Sequence, residues 1–137
     1  SCGVETKDIP PFIDTKDLDD IDLLKTYQKM KSVFHIYDHR MVELSENAMS
    51  ACLRLNEFEM FIDVGERLLK AYEEYFHPNS TSYGLHLAKL AKVAIYLNKT
   101  SEAIQYLNKS FTIFKISHGD NSLIVTYLYS LRDSISL

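Results

Sequence analysis

Shifting the sequence by 42 residues lays one apolar row on another, and this self-similarity constrains the fold more than any other feature. Ala48 falls on Leu90, Cys52 on Ala94, Leu55-Asn56 on Leu97-Asn98, Leu69 on Phe111 and Tyr72 on Phe114. Rows and turn coincide together, so the chain holds two copies of one helix–turn–helix unit. Each such hairpin leaves an apolar face that only a neighbouring hairpin can cover. The pattern predicts an all-α fold of antiparallel helix hairpins stacked as a short solenoid, about six helices in all.

The rows can be followed one by one. A helix is expected over about 17 to 34, with Asp17, Asp19, Asp20 and Asp22 crowding its first turn, where exposed backbone N–H groups favour negative charge. Its apolar row is Leu24, Tyr27, Met30 and Phe34. A second, over about 37 to 55, carries Tyr37, Met41, Leu44, Ala48, Ala51 and Leu55, which advance by alternating fours and threes, the stripe of an amphipathic helix. After the turn at Asn56-Glu57, a third presents Phe58, Phe61, Ile62, Leu68, Leu69, Tyr72 and Phe76. Pro78 disfavours helical geometry at His77 and ends it.

Asn79, Ser80, Thr81 and Ser82 supply cap candidates for a fourth helix, about 81 to 97. A fifth is expected over about 100 to 116, capped by Thr100 or Ser101. Leu87, Leu90, Ala94 and Leu97 then face Ala103, Leu107, Phe111 and Phe114, with the small residues Ala88, Ala91, Ala94, Ala103 and Ser110 where two close helices would touch. Gly119 can take the left-handed conformation that closes a helix. A sixth helix, capped by Asp120 or Asn121, turns Leu123, Ile124, Tyr127, Leu128, Leu131 and Ile135 inward. Residues 1–16, with Pro10-Pro11 and mixed charge without period, read as a linker before a helical domain over 17–137.

Composition excludes several function classes. With 137 residues and 46% apolar content the chain can build one core without staples. A net charge of −4 and no basic stripe argue against direct nucleic-acid binding. No apolar run approaches the roughly 18 residues of a membrane span. The start, SCGVETKDIPPF, has neither a signal peptide's regions nor an initiating Met, so the chain is expected to be a piece of a longer protein. Cys2 and Cys52 are expected to be reduced thiols of an intracellular protein, cytoplasmic or nuclear, with Cys52 a small hydrophobe on its helical row. The Asn-x-Ser/Thr triplets at Asn79, Asn98 and Asn108 are chance matches in that setting.

Catalytic and metal-binding constellations are thin. HIYDH places His35 and His39 four apart, but no third ligand accompanies them and a helix boundary falls between. Glu74-Tyr75-Phe76-His77 matches the Glu-x-x-His of di-iron bundles, which need a second copy and two further carboxylates. There is no phosphate-cradling glycine loop, nucleophile elbow or Cys-x-x-Cys pair. No catalytic, cofactor-binding or metal-binding residue is therefore expected in this chain. Lys89 and Lys92 are more informative: the 42-residue shift sets them opposite Asn47 and Ser50, polar places on otherwise apolar helices. Such matching positions are what a shared inner surface would show, and equally what a solvated face would show.

SEAIQYLNKSFTIF resembles the second helix of a tetratricopeptide repeat, with Ala103, Leu107 and Ser110 near its small–large–small positions. HPNSTSYGLHLAKLAK, the hairpin after it, FKISHGDNSLI and NAMSACLRLNEFEMF together resemble the C-terminal domain of the SET-and-MYND (SMYD) protein-lysine methyltransferases over about residues 37 to 131. The departures are Phe61, where the family commonly has a small residue, and shorter helices before Tyr37. The SET catalytic core and the MYND module do not appear in this sequence. The resemblance implies a non-catalytic tetratricopeptide-like domain that packs on the SET core, walls one side of the substrate cleft and binds proteins. S-adenosylmethionine and zinc would belong to the parent protein, and Cys2 alone makes no zinc site.

Two readings of function compete with that one. The first is a free-standing tetratricopeptide-like adaptor that grips a partner peptide; the second is a small all-α enzyme, for which no residues assemble. Tetratricopeptide domains that clamp acidic chaperone tails use Lys, Arg and Asn from the inner face. By that resemblance Lys89, Lys92, Asn47 and Ser50 are the partner-binding candidates here. Ala88 and Glu43 stand where a full clamp would want polar or basic groups, so weak, salt-sensitive binding of an acidic segment is expected.

Overall fold

Three helix starts recur with the 42-residue period of the sequence. α1 is Asp20–Met30, α2 His39–Arg54, α3 Phe58–Tyr75, α4 Thr81–Tyr96, α5 Thr100–His118 and α6 Leu123–Asp133, so that α2, α4 and α6 begin 42 residues apart, as do α3 and α5. The structure, a computed structural model, describes residues 17–77, 79–119 and 121–135. Among the described residues every regular element is a helix. The expected linker 1–16, with Cys2, lies outside them, as do Pro78 and Asp120.

The repeat extends to local chemistry. Asp38, Ser80 and Ser122 hold the three matching N-cap positions in extended backbone; the Asp38 carboxylate accepts from the Arg40 N–H at 2.8 Å, and the Ser122 hydroxyl from the Val125 N–H at 3.3 Å. At the other end, α2 and α4 close with one motif. Asn56 and Asn98 take positive φ, 58° and 60°. The following N–H then reaches back five residues, Glu57 to the Cys52 carbonyl and Lys99 to that of Ala94, each at 2.8 Å. Asn tolerates this left-handed conformation better than most residues and satisfies carbonyls that a helix end leaves bare.

Packing follows chain order, each helix on the next, with α4 also reaching α6. Met41, Tyr83 and Val125 occupy matching places and are all buried, as are Leu44, His86 and Leu128. The α4–α5 seam is the closest, and the expected small residues sit in it: Ala91, Ala94, Ala103 and Ser110 are wholly buried and Ala88 nearly so. The Ser110 hydroxyl donates to the Gly84 carbonyl at 3.0 Å. Gly65 also lets α3 come close to α4, since a Cβ there would stand 2.3 Å from Leu90 Cδ2. α1 is tied to the far end of α2 by Arg54, whose guanidinium donates to both Asp20 carboxylate oxygens at 2.8–3.1 Å.

Several expectations are corrected at helix ends. α1 is shorter than 17–34: the Asp19 carboxylate caps it by accepting from the Asp22 N–H, and the chain turns after Met30, although Phe34 is still buried under the Arg40 guanidinium, 4.3 Å away. Tyr37 is not part of the α2 stripe, because Asp38 takes the cap and leaves Tyr37 outside and exposed. Phe76 is likewise extended and exposed, so the α3 face ends at Tyr72. Lys99, not Thr100 or Ser101, caps α5, because the closing turn of α4 delivers the chain straight into the next helix. Ser122 rather than Asn121 caps α6, where Val125 and Leu128 are buried while Leu123 is 89% exposed and Tyr127 40%.

Candidate functional site: a groove between the first helices of the repeats

α2 and α4 do not pack on each other; both lean on α3, which floors the space between them. The resulting groove has a volume of 660 Å³. Phe61, Leu68 and Tyr72 of α3 form its base, and α6 closes one side with Ile124 and Tyr127. Its shape follows from the repeat, because the first helix of each hairpin turns the same face inward.

All four polar positions expected on a shared inner face line this one groove: Asn47 and Ser50 on the α2 wall, Lys89 and Lys92 on the α4 wall. Asn47 is half-buried and the other three are exposed. Neither Lys89 nor Lys92 makes an ion pair among the described residues, whereas Lys99 is paired with Glu59 at 3.0 Å and Lys115 lies over the rings of Phe111 and Tyr129. Ala88 is buried in the groove wall beside them, and Glu43 is exposed outside it. Large apolar side chains that a closed core would hide are open here, among them Leu53, Leu85 and Tyr96, the last tilted against Phe58 with ring centroids 4.7 Å apart.

Beneath the groove runs a polar network that the sequence pattern did not single out. The Tyr72 hydroxyl donates a short hydrogen bond to the Glu46 carboxylate on the α2 wall, and burial together with that bond raises the phenol's pKa. The Tyr72 ring meets His86 edge-on at 4.8 Å. His86 Nε2–H donates to the Gly65 carbonyl at 2.9 Å, bridging α4 to α3. Burial, aided by the Lys89 charge and partly opposed by the Gly65 bond, brings the imidazole down to about 4. The signal for His86 was present in the repeat, because Leu44 and Leu128 hold the matching places and a lone His in that row has to find a buried partner.

The histidine motifs do not assemble. His35 lies before α2 with its ring on Tyr37, while His39 opens α2 and stacks on Tyr75 at 4.7 Å. His77 falls beyond the end of α3, so it does not share a helical face with Glu74; its Nδ1 accepts from the Asn79 N–H. Among the described residues no group of three or more His, Cys, Asp or Glu could hold a metal, so the zinc of the resembled family does not fit them. Cys52 is a buried free thiol whose pKa burial pushes up to about 11, far from a reactive thiolate. No described helix is long and apolar enough to cross a membrane.

No family model matches the chain. Among curated proteins it is similar to the N-lysine methyltransferase SMYD2-A of Xenopus laevis, 31% identical over 91 residues, 66% of this chain and 21% of that protein. SMYD2-B of the same organism is 29% identical over 109 residues, 80% of this chain and 25% of that protein. The histone-lysine N-methyltransferase SMYD3 of Homo sapiens is 26% identical over 87 residues, 63% of this chain and 20% of that protein. The chain is a relative of the SMYD lysine methyltransferases. It spans about a fifth to a quarter of the length of these relatives, and the SMYD-related segment takes in most of the helical repeat.

Proposed function

We propose that this chain is the non-catalytic, C-terminal helical domain of a SMYD-type protein-lysine methyltransferase, and that its groove takes a segment of a partner protein. The observation that carries the second half is the convergence of Lys89, Lys92, Asn47 and Ser50 on one groove whose lysines make no ion pair among the described residues. Acidic protein segments, including the acidic tails of chaperones, are the ligands such a face suits. In the parent protein the same domain packs on the SET core and forms a wall of the substrate cleft. Methyl transfer, with its S-adenosylmethionine and zinc, belongs to that core and not to this chain. The relation to methyltransferases favours this over a free-standing adaptor. The buried free thiol of Cys52 supports an intracellular setting.

The test is a titration of the chain with an acidic C-terminal peptide at two salt concentrations, for the parent and for Lys89→Ala/Lys92→Ala. Exposed charge pairs are worth about 0–1 kcal/mol each, so removing two should weaken binding by up to roughly 25-fold at low salt and by less at high salt. Equal affinities for parent and double variant would remove these lysines from the site.

A further inference from the structure

The groove carries more than positive charge, and we infer that its preferred occupant is an amphipathic helix laid along α2 and α4, not an extended acidic strand. The inference rests on the reading of the groove as the partner site and names the partner's form. α2 and α4 each run 16 residues, about 24 Å, and both rest on α3 with no close backbone approach to each other. That leaves above α3 the seat that a further helix takes when ridges pack into grooves. Its apolar content is arranged for such a guest. Leu53 and Leu85 project from facing walls, 43% and 46% exposed, over the base formed by Phe61 and Leu68. An acidic strand bound only through its carboxylates would leave these apolar groups wet, whereas the apolar stripe of a helix would cover them.

Charge points the same way. The α4 wall presents the Lys89 and Lys92 ammonium groups, three residues apart and therefore side by side on the helix surface. The α2 wall presents the Glu46 carboxylate, held in place by the Tyr72 hydroxyl. A groove with walls of opposite sign complements an apolar stripe flanked by acidic residues on one side and basic residues on the other. It therefore sets the direction in which the guest helix lies.

The experiment uses the 137-residue chain and fluorescence anisotropy with three designed peptides of about four helical turns, or ~14 residues. The first has a leucine stripe, a Glu flank and a Lys flank. The second has the same composition in scrambled order, and the third is acidic without large apolar residues. The expected result is that the first binds at least about tenfold tighter than the other two and gains helical circular dichroism on binding. Lys89→Glu/Lys92→Glu should weaken the first peptide about tenfold and favour a version with Lys on both flanks, which the parent should bind less well than the first. Both lysines are exposed and make no ion pair among the described residues, so an unchanged thermal midpoint separates this effect from unfolding. Equal binding of the scrambled peptide, or failure of the two-Lys version to prefer the variant, overturns the helix. Equal binding of the acidic peptide also overturns it while leaving the groove as a partner site, and binding by none of the three overturns both.

Discussion

Gly65 should respond to alanine with opposite sign in two backgrounds. In the middle of α3, Gly costs roughly 0.5–1 kcal/mol relative to Ala, so the substitution by itself favours the helix. Here, however, the added Cβ would stand 2.3 Å from Leu90 Cδ2 and 3.2 Å from Met49 Cε. Leu90 is wholly buried, so moving its side chain aside must press on its own neighbours, and the overpacking should cost about 1–3 kcal/mol. Gly65→Ala in the parent should then be destabilising by about 1 kcal/mol net, the difference of those two terms. Leu90→Ala alone empties the same space and should cost about 2–5 kcal/mol. In that background the Gly65→Ala methyl enters the cavity and the helical gain is kept, so it should stabilise by about 1–2 kcal/mol. Urea unfolding of the parent, both single variants and the double variant, compared at unchanged m, gives a coupling of about 2 kcal/mol. If Gly65→Ala stabilises both backgrounds equally, within about 0.5 kcal/mol, the close approach of α3 to α4 is wrong.

Three further outcomes follow from particular residues. His86 is held at about 4 in the folded protein against an ordinary 6.5, so the unfolded chain binds the extra proton between those values. The stability it contributes is full above 6.5 and lost as pH falls toward 4. Between pH 7 and pH 5 the parent should lose about 2 kcal/mol through this group, and His86→Leu, which copies Leu44 and Leu128, should not show that loss in urea midpoints. Asn98→Ala should cost about 1–2 kcal/mol because alanine keeps the β-carbon at positive φ but loses the short amide that lets Asn tolerate it, while Asn98→Gly should stay within a few tenths; equal thermal midpoints for the two variants would refute the closing motif. The chain alone should show no micromolar heat of binding with S-adenosylmethionine in calorimetry, since the proposed reading leaves that cofactor to the SET core; a micromolar isotherm would sink that division of labour.

Much of the architecture was legible because a period of 42 residues is a property of sequence. Rows such as Met41, Leu44, Ala48 and Ala51 must lie on one helical face whatever surrounds them, and they are all buried. The small residues of the α4–α5 seam announced a close contact for the same reason. The matching of Asn47 with Lys89 and of Ser50 with Lys92 placed four polar groups on one face, and the structure brings all four to one groove. Tertiary structure decided what periodicity cannot encode. Helix ends were set by which backbone groups found partners: the Lys99 N–H is taken by the Ala94 carbonyl, so Lys99 takes the cap and α5 already begins at Thr100, one of the two expected hydroxyl caps. The inward and outward faces of α6 depended on how it meets α5 and α4, which buries Val125 and leaves Leu123 in solvent. The groove itself exists because α2 and α4 are held apart on α3. The partners that make Gly65, His86, Tyr72 and Glu46 one network come from three different helices, at separations that no local pattern specifies.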